Sequence, residues 1–293
     1  MSRLSRIAER LERVLDLAER ALLRIAGPGA TAADFERCWA FRWDASTGRL
    51  LPVPQPQLFS LDDLVGVARA VEHLVRNTEQ FVAGVPSNHV LLFGERGTGK
   101  SSAIRGLLPR FGPRGLRLVE VHKQDLLQLP AVLDALRLAE RYRFLLFCDD
   151  LSFDVGEPQY RELKAALEGS VVAPPANVRI AATSNRRHLM PESMEENRAA
   201  RLDGGGQLRL AESAEEKLAL ADRFGLVLGF HGFDQATYLE IVDRYARKAG
   251  IPLSREQLHA EALRWALDRA SRSGRTARQF VDDLAGREAL TRA

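Results

Sequence analysis

One segment constrains this chain more than any other: Gly94-Glu95-Arg96-Gly97-Thr98-Gly99-Lys100-Ser101. It reads G-x-x-x-x-G-K-[ST] between an apolar run at 88–93 and a helix-like stretch at 102–108, and that strand-loop-helix setting gives the pattern its meaning. Glycines let the backbone turn its N–H groups inward around a phosphate, where the N-terminus of the following helix adds a positive dipole. Lys100 is then expected to reach the β and γ oxygens of a nucleoside triphosphate. Ser101 is expected to place its hydroxyl on Mg²⁺, and Ser102 opens the helix behind it. ATP with Mg²⁺ is the ligand this loop predicts.

The rest of the chain alternates in step with such a loop. Apolar runs at 89–93, 116–121, 144–148, 178–182 and 226–230 have strand length, and helical periodicity separates them. Apolar runs between helices imply a parallel sheet covered on both faces, so an α/β core with a five-stranded parallel sheet is expected. From Asp234 onward the signals are helical. Asp234 and Ser254 are N-cap candidates, Gln257 completes a capping box with Ser254, and Gly250 and Gly274 are expected stops.

At the other end, Leu4, Ile7, Leu11, Val14, Leu15, Ala18, Leu22 and Ile25 recur at three and four, an amphipathic helix that Gly27-Pro28 closes. Aromatic residues at 37–56 around the turn Asp44-Ala45-Ser46-Thr47-Gly48 predict a short hairpin, and Pro52, Pro54 and Pro56 read as a linker. The expected division is an N-terminal helical and hairpin extension at 1–57, a nucleotide-binding core at 58–232 and a helical lid at 233–293.

A distant carboxylate should complete the metal shell from the end of a neighbouring strand, and Phe144-Leu-Leu-Phe-Cys148 runs directly into Asp149 and Asp150. Asp149 is expected to hold Mg²⁺, and Asp150 to orient or deprotonate the attacking water. After the fourth apolar run, Thr183-Ser184-Asn185 offers side chains able to position water near a γ-phosphate. Other chemistries lack their residues: the six histidines contain no His-x-x-x-His pair, the two cysteines form no metal cluster or disulfide framework, and no Gly-x-Ser-x-Gly elbow occurs. No apolar run reaches the ~18 residues of a membrane span, and Met-Ser-Arg-Leu-Ser-Arg lacks the core of a signal peptide, so a cytoplasmic protein is expected.

The order of phosphate loop, strand-Asp-Asp, strand-Asn and helical lid resembles that of the AAA+ ATPases over roughly residues 58–290. More narrowly, Arg76-Asn-Thr-Glu-Gln-Phe81, the phosphate loop through Ser102, Phe147-Cys-Asp-Asp-Leu-Ser-Phe153 and Ala182-Thr-Ser-Asn-Arg-Arg-His-Leu-Met-Pro191 resemble a bacterial AAA+ family catalogued as domain of unknown function 815. The resemblance implies that Asn185 is the sensor of the γ-phosphate. It implies that Arg223, at the end of a helix before the fifth strand, is an arginine finger reaching a neighbouring subunit's nucleotide, with Arg198 and Arg201 as rivals in a surface insertion at 191–206. It implies a lid arginine at the start of the third lid helix: Arg278 if Thr276 is the N-cap, Arg275 if the loop closes earlier. It also implies that the backbone around Leu64, Val65 and Gly66 reads the adenine edge. Asp150 departs from the commoner Glu, a shorter acid shared with replication initiators and helicase loaders of the same class.

A ring or spiral oligomer that remodels or loads an unidentified protein partner is therefore the first expectation, and a slowly hydrolysing, nucleotide-gated recruitment module the alternative. Direct action on DNA ranks last. Its support is an arginine-dominated basic complement that gives a net charge of +3 and a pI of about 9.1.

Overall fold

The structure is a computed structural model that describes residues 32–154, 157–168, 174–186, 189, 201–202, 208–209 and 220–292. The amphipathic segment from Leu4 to Ile25 and most of the insertion at 191–206 lie outside those residues.

The continuous apolar runs become central strands because each faces two cores. Along β5 (Arg143–Cys148), Phe144, Leu146 and Cys148 belong to one buried cluster, while Leu145 and Phe147 belong to the other. The same division runs through β3 (Val90–Gly94), β4 (Leu116–Glu120) and β6 (Val178–Ser184). Side chains alternate across a strand, so β5, buried on both faces, runs apolar from Phe144 to Cys148, while Arg117 interrupts β4 and Arg179 interrupts β6. On one face pack α1 (Ala32–Arg37), α5 (Leu129–Arg137) and α6 (Pro158–Glu168). On the other pack α2 (Ala68–Val82) and the pair α3 (Lys100–Arg105) and α4 (Leu107–Phe111).

The fold is the expected doubly covered α/β sheet, with a difference in width. The five strands foreseen are parallel neighbours in the order β4-β5-β6-β3-β9, β9 being Leu226–Phe230. Two more strands, β1 (Ala40–Asp44) and β2 (Arg49–Val53), make the sheet seven-stranded. They are the predicted hairpin, but it is no appendage: β1 runs parallel to β4, with Phe41 opposite Val119. Aromatic packing seats it, since Phe35 meets Phe41, Phe144 and Tyr142 at ring-centroid distances of 4.8, 5.2 and 5.7 Å. Trp43 Nε1 also donates to Gln128 Oε1 at 2.9 Å. Pro52 is tolerated because β2 is an edge strand, where a missing N–H breaks no ladder. A short antiparallel pair, β7 (Arg201–Leu202) with β8 (Leu208–Arg209), stands apart.

Beneath the sheet's mouth, Asn77 of α2 pins the start of β3 by donating to the Asn88 carbonyl and accepting from the Asn88 N–H, at 3.0 and 2.9 Å. Next to it, His89 Nδ1 accepts the Ile180 N–H at 2.9 Å, and burial followed by the nearby Arg179 pushes its pKa down to about 4. The unfolded chain, whose histidine titrates near 6.5, therefore binds the extra proton first. Stability from this group is complete above pH 6.5 and declines as the pH falls toward 4, by about 3 kcal/mol. Chemical denaturation of the wild type and His89→Gln between pH 7 and 4 should show a shallower loss in the variant.

The C-terminal helices α7 (Gln235–Ala249), α8 (Arg255–Asp268) and α9 (Gly274–Arg292) enclose a third apolar cluster around Tyr238, Ile241, Val242 and Phe280. Their starts follow the sequence: Asp234 accepts the Thr237 N–H, and the Ser254–Gln257 capping box is complete. Gly250 closes α7 with φ 65°. Gly274 is a correction. Expected to stop a helix, it opens α9, because Ser273 in front of it is the cap: its Oγ accepts the Thr276 N–H at 3.1 Å. Among the described residues no helix is long and apolar enough to cross a membrane.

Candidate functional site

The phosphate loop leaves the carboxyl end of β3 and is shaped by contacts only glycine allows. Gly94 pairs with Phe230 of β9 at φ +138°, and a Cβ there would lie 1.9 Å from the Phe230 carbonyl oxygen. Gly97, at φ +76°, is pressed by the start of α9: a Cβ on it would stand 2.7 Å from Ser273 Oγ, and its carbonyl accepts the Gly274 N–H at 2.9 Å. Thr98 Oγ1 closes the loop by donating to the Glu95 carbonyl at 2.8 Å.

Lys100, the first residue of α3, is 7% exposed. Its Nζ donates to the carbonyls of Gly94 and Glu95 at 2.7 Å each and to Asn185 Oδ1 at 3.1 Å. Burial lowers its pKa; Asp150 and Asp149 work against that shift, while Arg275 and Arg96 add to it. Ser101 Oγ donates to Asp149 Oδ1 at 2.6 Å, an oxygen that also receives the Thr183 hydroxyl at 2.5 Å.

Asp149 and Asp150 are consecutive, and a regular strand would send them to opposite faces. Asp150 takes φ 51°, a left-handed conformation that a short polar side chain tolerates. Both acids thereby border the same cleft. The Asp150 N–H donates to Thr183 Oγ1 at 2.8 Å, and Asp150 Oδ1 accepts Asn185 Nδ2 at 2.5 Å. A polar chain thus runs Lys100–Asn185–Asp150, beside a second from Ser101 through Asp149 to Thr183.

These groups wall a cavity of about 990 Å³ between the sheet and the C-terminal helices. Arg96, Lys100, Arg105, Arg275 and Arg278 line it, against Asp149, Asp150 and Asp282, an excess of positive charge suited to a polyphosphate. Because Ser273 caps α9, Arg275 falls in the first helical turn. Arg278, one turn later, is engaged with Asp282 at 2.9 Å and lies 5.6 Å from the Tyr245 ring centroid. Both arginines face one cavity, so the choice posed by the sequence does not exclude either.

Other expected residues lie elsewhere. Leu64 lines the cavity, whereas Val65 is buried in the third apolar cluster and Gly66 packs against Thr237 and Phe233. The Glu95 side chain lies against Gly232. Ser102 borders the cavity, but Arg223 does not; it pairs with Glu168 at the end of α6. Arg198 and the Arg201 side chain fall outside the described residues. Gln57, Phe59, Arg105 and Tyr245 line the cavity unannounced by motif. Of these, only Arg105 carried a signal, its position i+4 from Ser101.

The donor set fits Mg²⁺: a hydroxyl and a carboxylate, both hard oxygen ligands, meet on the cavity wall and leave the remaining positions to phosphate and water. Among the described residues no group of three or more His, Cys, Asp or Glu forms an all-protein metal cage.

Residues 36–288 match the family described as Protein of unknown function (DUF815). No curated protein matches the chain. Among solved structures, the Thermotoga maritima RuvB Holliday junction branch migration motor matches with a TM-score of 0.54 at 16% identity, covering 80% of this chain and 66% of that one. A variant of the same RuvB gives a TM-score of 0.56 at 16% identity, over 80% and 66%. The chain thus spans about two thirds of the length of the RuvB chains it matches. At this identity the likeness speaks for the fold alone.

Proposed function

We propose, because the chain belongs to the family of proteins of unknown function DUF815 and has the AAA+ P-loop fold, that it binds ATP with Mg²⁺ and hydrolyses it to remodel or load an unidentified partner. One observation carries this reading: Ser101 Oγ and Asp149 Oδ1 meet at 2.6 Å in the cavity that also holds Lys100.

Each residue then has a task set by its surroundings. Lys100, aimed by two loop carbonyls and Asn185, balances phosphate charge at the β and γ positions. Ser101 and Asp149 hold the metal, which when bound withdraws charge from the phosphate oxygens. Asp150 accepts the proton of the attacking water, and Asn185 fixes the carboxylate that does so. Arg275 adds lid charge over the phosphates, with Arg278 one turn behind. Leu64, Phe59 and Tyr245 offer apolar surface to the base, beside the backbone of 64–66. Arg223, outside this chain's own cavity, is assigned to a neighbouring subunit's site in a ring or spiral, where a guanidinium would stabilise transition-state charge. Residues 233–293 act as the lid. A cytoplasmic setting, and DNA as a partner of lower rank, complete the proposal.

A second reading, a nucleotide-gated recruitment module with little turnover, is favoured by the short Asp150 carboxylate already engaged by Asn185. Asp150→Asn separates the two. Under the ATPase reading the variant keeps nucleotide affinity while phosphate release falls by roughly 10²–10⁴-fold, the usual worth of a general base. Negligible turnover in the unaltered, concentrated protein, with binding intact, would favour the switch.

A further inference from the structure

Arg105 stands four residues beyond Ser101 on α3, and one helical turn returns it to the same face. Its Nη1 donates to Gln57 Oε1 at 2.8 Å, and its Nη2 lies 3.9 Å from Asp149 Oδ2. The other oxygen of that carboxylate takes the hydroxyls of Ser101 and Thr183. Asp149 is therefore shared between two hydroxyls and a fixed cation, and none of the tasks assigned above uses that cation.

We propose that Arg105 sets the metal affinity of the site: its charge, held beside Asp149 by Gln57, opposes a divalent cation there, so that Mg²⁺ binds together with a polyphosphate rather than ahead of it. The inference rests on Ser101 and Asp149 being the metal ligands. Without the guanidinium, Asp149 and the adjacent Asp150 would present two carboxylates to a free cation. With it, one of those charges is offset until the phosphates bring several more. The cleft is partly open, with Arg105 29% and Asp149 34% exposed, so solvent weakens the repulsion. What remains is of the order of a three- to tenfold change in metal affinity. Gln57, whose Oε1 accepts from the guanidinium, is a positioning residue.

Mg²⁺ titration of the full chain with a fluorescent, non-hydrolysable ATP analogue tests this, reading metal-dependent probe binding rather than turnover. Arg105→Gln should lower the half-saturating Mg²⁺ concentration three- to tenfold, more at 50 mM than at 300 mM salt because the effect is Coulombic. Arg105→Lys should stay near the wild type, and Gln57→Ala should fall between. An unchanged or raised Mg²⁺ requirement in Arg105→Gln, or Lys behaving as Gln does, would overturn the proposal. If the unaltered protein binds the probe with no response to Mg²⁺, the assignment of Ser101 and Asp149 fails first, and the role of Arg105 falls with it.

Discussion

Lys100→Ala is expected to reduce phosphate release by at least about a hundredfold, the usual cost of deleting one preorganised electrostatic group. The effect is large because the ammonium is buried and its three acceptors are fixed by the loop and by β6. Removing it leaves the carbonyls of Gly94 and Glu95 and the Asn185 amide oxygen without their donor, next to the oxygens of a bound triphosphate. Nucleotide affinity should fall as well, since the same charge is made in ground state and transition state. Lys100→Arg should not restore activity: a planar fork does not fit a niche shaped for a point charge. Circular dichroism alongside the phosphate assay separates loss of function from loss of fold.

Arg223→Ala is expected to act differently, lowering turnover by about 10³–10⁵-fold, the range of an arginine finger, while nucleotide affinity stays within twofold. Arg223 is absent from the cavity walls and pairs with Glu168, which is why the proposal assigns its effect to another subunit's site. Specific activity of the wild type should accordingly rise with protein concentration, and that of the variant should not. Turnover that is independent of concentration and insensitive to Arg223→Ala would leave the residue its ion pair with Glu168 and no part in hydrolysis.

The parts of this site that lie close in sequence were legible from residues alone. The phosphate loop announces itself because turn, cradle and helix start are local, and the two faces of β5 show as an unbroken apolar run because each neighbour fills a different core. What sequence could not show depends on chain segments meeting from afar. The hairpin at 40–53 was visible as a hairpin, but nothing local says that Phe41 packs edge-on against Phe35 and that β1 joins β4. Ser273 and Thr276 are both good capping residues, and Ser273 is the cap where Gly274 N–H meets the Gly97 carbonyl. Gln57 sits among prolines that read as a linker, yet it ties Arg105 to the Asp149 side of the cavity. Even Asp150, named from the motif, reaches the cleft through a left-handed backbone turn that no pattern encodes.

Lys100, Ser101 and Asp149 are proposed to form one Mg²⁺-dependent nucleotide site. Isothermal titration of the unaltered protein with a non-hydrolysable ATP analogue, in Mg²⁺ and in EDTA, tests it most directly. One site per chain, tighter binding in Mg²⁺, and loss of that gain in Asp149→Asn are expected. Binding that is equal in Mg²⁺ and EDTA, or unaffected by Asp149→Asn, would contradict this assignment.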